Sequence, residues 1–298
     1  MNSKICDNLY LNRERCENYV KEEDKPCKIL VKDEDIISDF LSNYHPEKDK
    51  VHVALGVGGG RDFLVARHKS VKRKIGVDYS PHMLELCGRK YKDAELILDD
   101  ITSLKVLKES LKEEKRSVFY TLLTNTLGNL EENDRKKSIE SIRECMNSGD
   151  LLVLELYRRI EELKGAPKNL EKIKLGSILY EDDLLKNMRS KLPKKATLAD
   201  YLKAFGLPEP YLHSLAQQNE YSELSFFNSI KHVHSEYNPD THDVIVSEVV
   251  DGDFFNRKPV FLSHRWSYNE IKNSFTSREM EIDVIPTEKT YFCTAWKI

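Results

Sequence analysis

Between Val51 and Pro81 the chain runs from an apolar stretch into Gly56-Val57-Gly58-Gly59-Gly60, and a second apolar stretch then ends at Asp78. Glycine permits the unusual backbone angles of a tight strand-to-helix turn, and its missing Cβ lets a ligand approach the main chain. The spacing predicts a helix from Arg61 to His68, whose first amides point back at whatever the loop holds. Asp78 follows the glycines at about the 20 residues expected of a carboxylate that takes ribose hydroxyls. Together these features predict a nucleoside-binding βαβ unit.

The rest of the chain extends that unit into an α/β fold with a parallel sheet. Strands are predicted at Val51 to Leu55, Lys74 to Val77, Glu95 to Leu98, Ser117 to Leu123 and Leu151 to Leu156. Helices fall between them near Pro81 to Tyr91, Ser103 to Lys112 and Asn133 to Met146. After Tyr157 the alternation stops, and charged helical sequence follows, including Leu198 to Leu202 and Tyr211 to Leu215. Ile230 to Tyr237, Asp243 to Val250 and Val260 to Ser263 then read as antiparallel strands, with Asn238-Pro239-Asp240 as a hairpin turn. Tyr268 to Phe275 reads as a last helix, Glu281 to Val284 with Thr290 to Trp296 as a closing hairpin, and Trp296 as core. The expected organisation is an N-terminal helical extension at 1–48, a ligand-binding core at 49–157 and 266–298, and an inserted region at 158–265.

Which nucleoside the loop takes depends on its spacing. The dinucleotide pattern G-x-G-x-x-G needs glycine at position 61, where this chain has Arg61, so a nicotinamide-dependent oxidoreductase ranks third. The chain reads G-x-G-x-G, with Asp78-Tyr79-Ser80-Pro81-His82-Met83-Leu84 after the second strand. That pair of motifs resembles the class I S-adenosylmethionine-dependent methyltransferases. The resemblance implies a Rossmann-like seven-stranded sheet with a C-terminal antiparallel hairpin. It also implies cofactor contacts from Gly56, Gly58, Gly60, Asp78 and Tyr79. Asp99-Asp100-Ile101 ends the third strand, and by the same resemblance Asp100 and Ile101 hold the adenine, although either acid also suits a helix cap ahead of Ser103. Position 54, acidic in many class I enzymes, is Ala54 here, which leaves the contact to the methionine amino group missing or supplied by another residue.

The fourth strand ends in Leu122-Leu123-Thr124-Asn125-Thr126-Leu127-Gly128-Asn129-Leu130. In open α/β sheets ligands sit beyond the carboxyl ends of the strands, so this polar stretch faces the reactive end of the cofactor, and Thr124 and Asn125 join the expected cofactor contacts. The stretch resembles the Thr-x-Gly-Asn element of the histidine-specific methyltransferases of the ergothioneine pathway, in which the asparagine matching Asn129 contacts the amino-acid substrate. Gly128-Asn129 also suits a simple turn before a helix. Asn129 and Tyr157 are the expected catalytic residues, with Glu155 ranked below Tyr157 because it lies within the fifth strand.

Lysine and arginine (47) nearly balance aspartate and glutamate (50), so no overall field favours nucleic acid or an anionic membrane. No apolar run is long enough to span a bilayer and the N-terminus lacks a signal-peptide core, which predicts a cytoplasmic protein. The six cysteines form no C-x-x-C pair, so reduced thiols are expected and no metal. The resemblance implies a methyltransferase for a small molecule, with N-methylation of an amino acid or amine as the leading reading. The alternative is a cofactor-binding protein without transfer activity whose insertion serves a protein partner, a reading motivated by Ala54. The insertion itself reads equally as a lid over the acceptor or as a homodimer contact.

Overall fold

The parallel sheet predicted from the alternation is present in the computed structural model, which describes residues 5–23, 49–65, 69–163, 176–178, 233–238, 240–249 and 257–298. Its first five strands are β1 (Lys50–Leu55), β2 (Val71–Asp78), β3 (Glu95–Leu98), β4 (Ser117–Leu122) and β5 (Leu151–Tyr157). The chain ends in β10 (Met280–Pro286) and β11 (Thr290–Lys297), and the seven strands pair in the order β10-β11-β5-β4-β1-β2-β3. All pairs among β1 to β5 are parallel, whereas β11 runs antiparallel to both β5 and β10. Every residue of β1 is buried, as expected for a central strand covered on both faces. The order reverses between β1 and β4, so the C-terminal ends of β1, β2 and β4 open onto one crevice.

The helices are α1 (Asp7–Tyr10), α2 (Arg13–Glu23), α3 (Arg61–Val65), α4 (Pro81–Lys90), α5 (Lys105–Leu111), α6 (Glu132–Cys145) and α7 (Tyr268–Thr276). Local chemistry sets several of their starts. Ser80 caps α4 by accepting from the Met83 amide, and Pro81 at the first turn needs no hydrogen-bond partner for its nitrogen. Ser267 and Glu270 form a reciprocal capping box on α7. The helix expected from Ser103 starts later, at Lys105, because Leu104 takes a left-handed conformation (φ 46°) and Asp99 Oδ2 accepts from the Val106 and Leu107 amides.

A second, antiparallel sheet has the order β6-β7-β8-β9, from Gly176–Ile178, Val233–Asn238, Asp243–Val249 and Arg257–His264. Asn238 Oδ1 accepts from the Asp240 and Thr241 amides and so shapes the expected hairpin turn. Cys6 and Leu9 pack with Val244, Val246, Val260, Phe261 and Leu262, so the N-terminal segment closes a core with this sheet. Trp296, read as core, is only partly buried, since it lies near the end of β11 opposite Glu281 of the outermost strand; Trp266 fills the core instead. Cys6, Cys16, Cys87, Cys145 and Cys293 are buried free thiols. The helices read at Leu198 to Leu202 and Tyr211 to Leu215, the lid reading of most of the insertion, and Cys27 lie outside the described residues. Among the described residues no helix is long and apolar enough to cross a membrane.

Candidate active site

The glycine loop begins where β1 ends. Gly56 and Gly58 have φ of +66° and +50°, and the Gly58 amide donates to Asp78 Oδ2 at 3.0 Å. Asp78 Oδ1 accepts from the Ser80 amide at 2.8 Å, so the carboxylate is held by main chain from both sides. Burial nevertheless pushes its pKa up to about 6 against those hydrogen bonds. Gly60 (φ +93°) has a different reason to be glycine, because a Cβ there would lie 2.4 Å from a Tyr91 ring carbon. Asp99 and Asp100 divide their work: Asp99 caps α5, while Asp100 Oδ1 accepts from both the amide and the hydroxyl of Thr102.

Deeper in the crevice, a buried polar chain runs from β1 through β4 to α3. His52 is fully buried and its pKa falls to about 3, mainly through desolvation. The neutral ring lies with Nε2 2.9 Å from Thr121 Oγ1, and the Thr121 hydroxyl donates to Asp62 Oδ2 at 2.6 Å. With the hydroxyl proton committed to Asp62, Nε2 must be the donor to Thr121. Burial raises the Asp62 pKa to about 7, outweighing the Thr121 hydrogen bond and the nearby Arg61 charge, with Glu155 pushing it further up.

The end of β4 is strained. Thr124 and Asn125 both have positive φ, 52° and 57°. Asparagine tolerates this region, whereas for a β-branched threonine it costs on the order of 1–3 kcal/mol. Glu155 supplies the restraint: its Oε2 accepts from the Thr124 amide at 2.8 Å and its carbonyl from the Asn125 amide at 3.0 Å. The Asn125 side chain is fully occupied by protein. Its Nδ2 donates to Ser263 Oγ and the His264 carbonyl, both at 3.1 Å, and its Oδ1 accepts from the Tyr157 amide at 3.1 Å. This clamp ties β4 to β5 and β9. The turn of 3-10 helix that follows, Thr126–Asn129, places Asn129 in the lining of the crevice, and its Oδ1 is buried without a hydrogen-bond partner.

These elements surround one cleft with about 1010 Å³ of space, its open mouth included. Gly56, Gly58, Asp78, Tyr79, Asp100 and Ile101 line it, as do Thr124 and Asn129. Gly60, Asn125 and Tyr157, also singled out from sequence, are not among its lining residues: Gly60 is packed by Tyr91, Asn125 is the clamp, and the Tyr157 ring lies under the Arg265 guanidinium at 4.9 Å. The sequence reading missed Asp62, the support from Glu155, and a wall made by Ile5, Cys6, Tyr10 and Tyr19. That wall is fastened by Ser80 Oγ donating to the Tyr10 carbonyl at 2.5 Å and Cys6 Sγ to the Asn129 carbonyl at 3.2 Å. Nothing local in the first twenty residues signals such a role. Asp62 could have been noticed as a carboxylate one residue into the helix after the glycines, but not as a buried one.

No protein-family model matches the chain, and no curated protein sequence matches it. Solved structures do. An S-adenosylmethionine-dependent methyltransferase from Clostridium acetobutylicum superposes with a TM-score of 0.55 at 12% identity, covering 89% of this chain and 91% of its own. An amino pentose methyltransferase from Micromonospora echinaspora, solved with S-adenosylmethionine bound, gives 0.54 at 12% identity, covering 94% and 96%. The CcbJ methyltransferase from Streptomyces caelestis gives 0.51 at 13% identity, covering 88% and 93%. With the strand order and the crevice at its reversal point, these likenesses establish that the chain has the fold of the class I S-adenosylmethionine-dependent methyltransferases.

Proposed function

We propose that the protein binds S-adenosylmethionine in this cleft and transfers its methyl group to a nitrogen of a small molecule. The observation that carries the reading is the arrangement of the cleft itself: Asp78 and Asp100 stand at the ends of β2 and β3 and Asn129 past β4, all three lining the same space. The chain fits the cofactor on its own chemistry. Asp78 offers a buried carboxylate to ribose hydroxyls, Asp100 and Ile101 a polar and an apolar group to adenine, and the loop at Gly56 and Gly58 a wall without Cβ atoms. When bound, the cofactor supplies an already activated methyl group on a sulfonium, so the protein's task is mainly alignment and exclusion of water.

In this reading the Asn129 side-chain amide meets the acceptor and orients its nitrogen lone pair. The Glu155 clamp on Thr124 and Asn125 keeps that turn in place. On the same reading residues 49–157 and 266–298 form the cofactor-binding core, and the segment from Ile5 to Tyr19 adds a wall. A solved neighbour is an amino pentose methyltransferase, which keeps a small amine-bearing acceptor in view for this chain. Ala54 is the feature that favours a binder without transfer activity, and the carboxylate of Asp62 in the cleft answers it.

Calorimetry with S-adenosylhomocysteine tests the cofactor half. Asp78→Ala should lose charge-assisted hydrogen bonds worth about 1.5–3 kcal/mol, a roughly ten- to hundredfold loss of affinity. Asn129→Ala should keep that affinity while lowering turnover. Unchanged affinity in a folded Asp78→Ala protein ends the assignment of this cleft.

A further inference from the structure

One carboxylate of the cleft has no part in the ribose and adenine contacts. Asp62 of α3 lines the same space as Gly56, Val57 and Gly58, yet is only 5% exposed. The main sheet sets its place. Thr121 of β4 is the register partner of Ala54 on β1, so the two side chains share one face of the sheet, and His52, two residues before Ala54, lies on that face as well. The Thr121 hydroxyl donates to Asp62 Oδ2 at 2.6 Å, and His52 Nε2 lies 2.9 Å from the same hydroxyl oxygen. The carboxylate is thus held beside the Ala54–Thr121 pair, on the β1 and β4 side of the crevice, whereas Asp78 and Asp100 follow β2 and β3.

The strands run in the order β4-β1-β2-β3, so a ligand with adenine at Asp100 and ribose at Asp78 extends its remaining end towards β1 and β4. Resting on the reading of the cleft given above, we propose that Asp62 receives the α-ammonium of the cofactor's amino-acid end, with Thr121 and His52 as positioning residues for its carboxylate. The charge that Ala54 does not provide on β1 then comes from α3. The state of Asp62 without ligand supports this. Burial outweighs the Thr121 hydrogen bond and the Arg61 charge, Glu155 of β5 adds repulsion, and the pKa stands at about 7. His52 does not neutralise the carboxylate, because desolvation and the Lys74 charge keep its ring uncharged. Its contribution is direction: the Nε2 proton occupies a lone pair of the Thr121 oxygen and leaves the hydroxyl proton for Asp62. An ammonium set against this carboxylate favours the ionised form, so below the folded pKa its binding expels the Asp62 proton to solvent.

Two ligands test it by calorimetry between pH 6 and pH 8: S-adenosylhomocysteine and its analogue without the α-amino group, which keeps the nucleoside, the sulfur and the carboxylate. The expected result is an about ten- to hundredfold preference for S-adenosylhomocysteine at pH 8. That preference should shrink about tenfold at pH 6, where Asp62 holds a proton in the ligand-free protein. At pH 6 S-adenosylhomocysteine should also release about one proton more than the analogue, read from buffers of different ionisation enthalpy. Any proton linked to Asp78 cancels, since both ligands carry the ribose. Asp62→Asn should abolish the preference and the extra proton. Thr121→Val should move the pH profile of the preference upward, because Asp62 loses a hydrogen bond that favours its ionised form, and Thr121→Ser should keep the wild-type profile. Equal affinity for the two ligands at pH 8, a pH-independent preference, or a preference that survives Asp62→Asn overturns the inference while the cofactor assignment stands. An unmoved profile in folded Thr121→Val overturns the positioning role. Failure of both ligands to bind removes the cofactor assignment, and this inference with it.

Discussion

Asp62 is a buried carboxylate whose strongest protein contact is a single threonine hydroxyl, and its pKa near 7 reflects how little offsets its desolvation. In the unfolded chain the group ionises near 4. Its folded pKa is raised, so the ligand-free protein loses stability as pH rises from about 4 to about 7 and the loss then levels off. Asp62→Asn should therefore raise the melting temperature of the ligand-free protein at pH 8 and do so less at pH 5. The same substitution should remove a partner for the α-ammonium of the cofactor's amino-acid tail. We expect about a tenfold or greater loss of S-adenosylhomocysteine affinity at pH 8, with little change for 5′-methylthioadenosine, which lacks that tail. Comparing the two ligands separates Asp62 from Asp78, whose pKa of about 6 falls in the neighbouring window but whose partner, the ribose, both ligands carry. Equal losses for both ligands would count against Asp62.

At the scale of elements, the second sheet is joined to the core through His264. This ring at the end of β9 has Nδ1 2.7 Å from Asp243 of β8 and Nε2 2.7 Å from Glu270 of α7. Arg135 of α6 lies 3.6 Å from Asp243 and over the Trp266 ring, Arg159 pairs with Glu270 at 3.1 Å, and His242 pairs with Glu161. Burial opposes the charged form of His264, but the two carboxylates outweigh it and its pKa is raised above 6.5. A raised histidine pKa contributes stability that is fully present below about 6.5 and is lost as pH climbs through the folded value. His264→Gln should cost about 1–3 kcal/mol at pH 6 and progressively less at higher pH, since Arg135 and Arg159 still serve the two carboxylates. Denaturant unfolding of both proteins across that range checks it, and a pH-independent difference would reject the charged-ring account.

Over the whole molecule the cleft is an assembly of three pieces distant in sequence: the loops of the main sheet, the segment from Ile5 to Tyr19, and Leu262 of the second sheet. A ligand held by all three should protect all three together. S-Adenosylhomocysteine at about 100 times its dissociation constant should add about 2.7 kcal/mol to the stability of the fold. Amide exchange should slow not only in the glycine loop but also in Cys6–Tyr10 and around Leu262. Protection confined to the loop would show that the N-terminal wall takes no part in binding.

Much of this was legible in the residues because it depends on short-range chemistry. Alternating apolar strands and helices, the glycines after β1, Asp78 about 20 residues on, and Ser80-Pro81 as a helix start each carry a local physical signature. Boundaries came within a few residues, and the closing hairpin fell where it was read. The sequence could not tell which polar groups line the cleft and which are spent on contacts within the protein. Asn125 and Tyr157 looked as suitable as Asn129, and only the packing of β9 against the end of β4 turns Asn125 inward as a clamp while Asn129 Oδ1 is left without a partner. Asp62 and Glu155 became conspicuous only through burial, and the wall at Cys6, Tyr10 and Tyr19 exists only because the N-terminal segment docks on Ser80 and on the second sheet. The sequence by itself determined the order of strands and helices and the glycine loop after β1, since those follow from periodicity and backbone sterics. The charge and walls of the cleft were decided by tertiary structure, since desolvation and hydrogen-bond satisfaction are properties of neighbours in space.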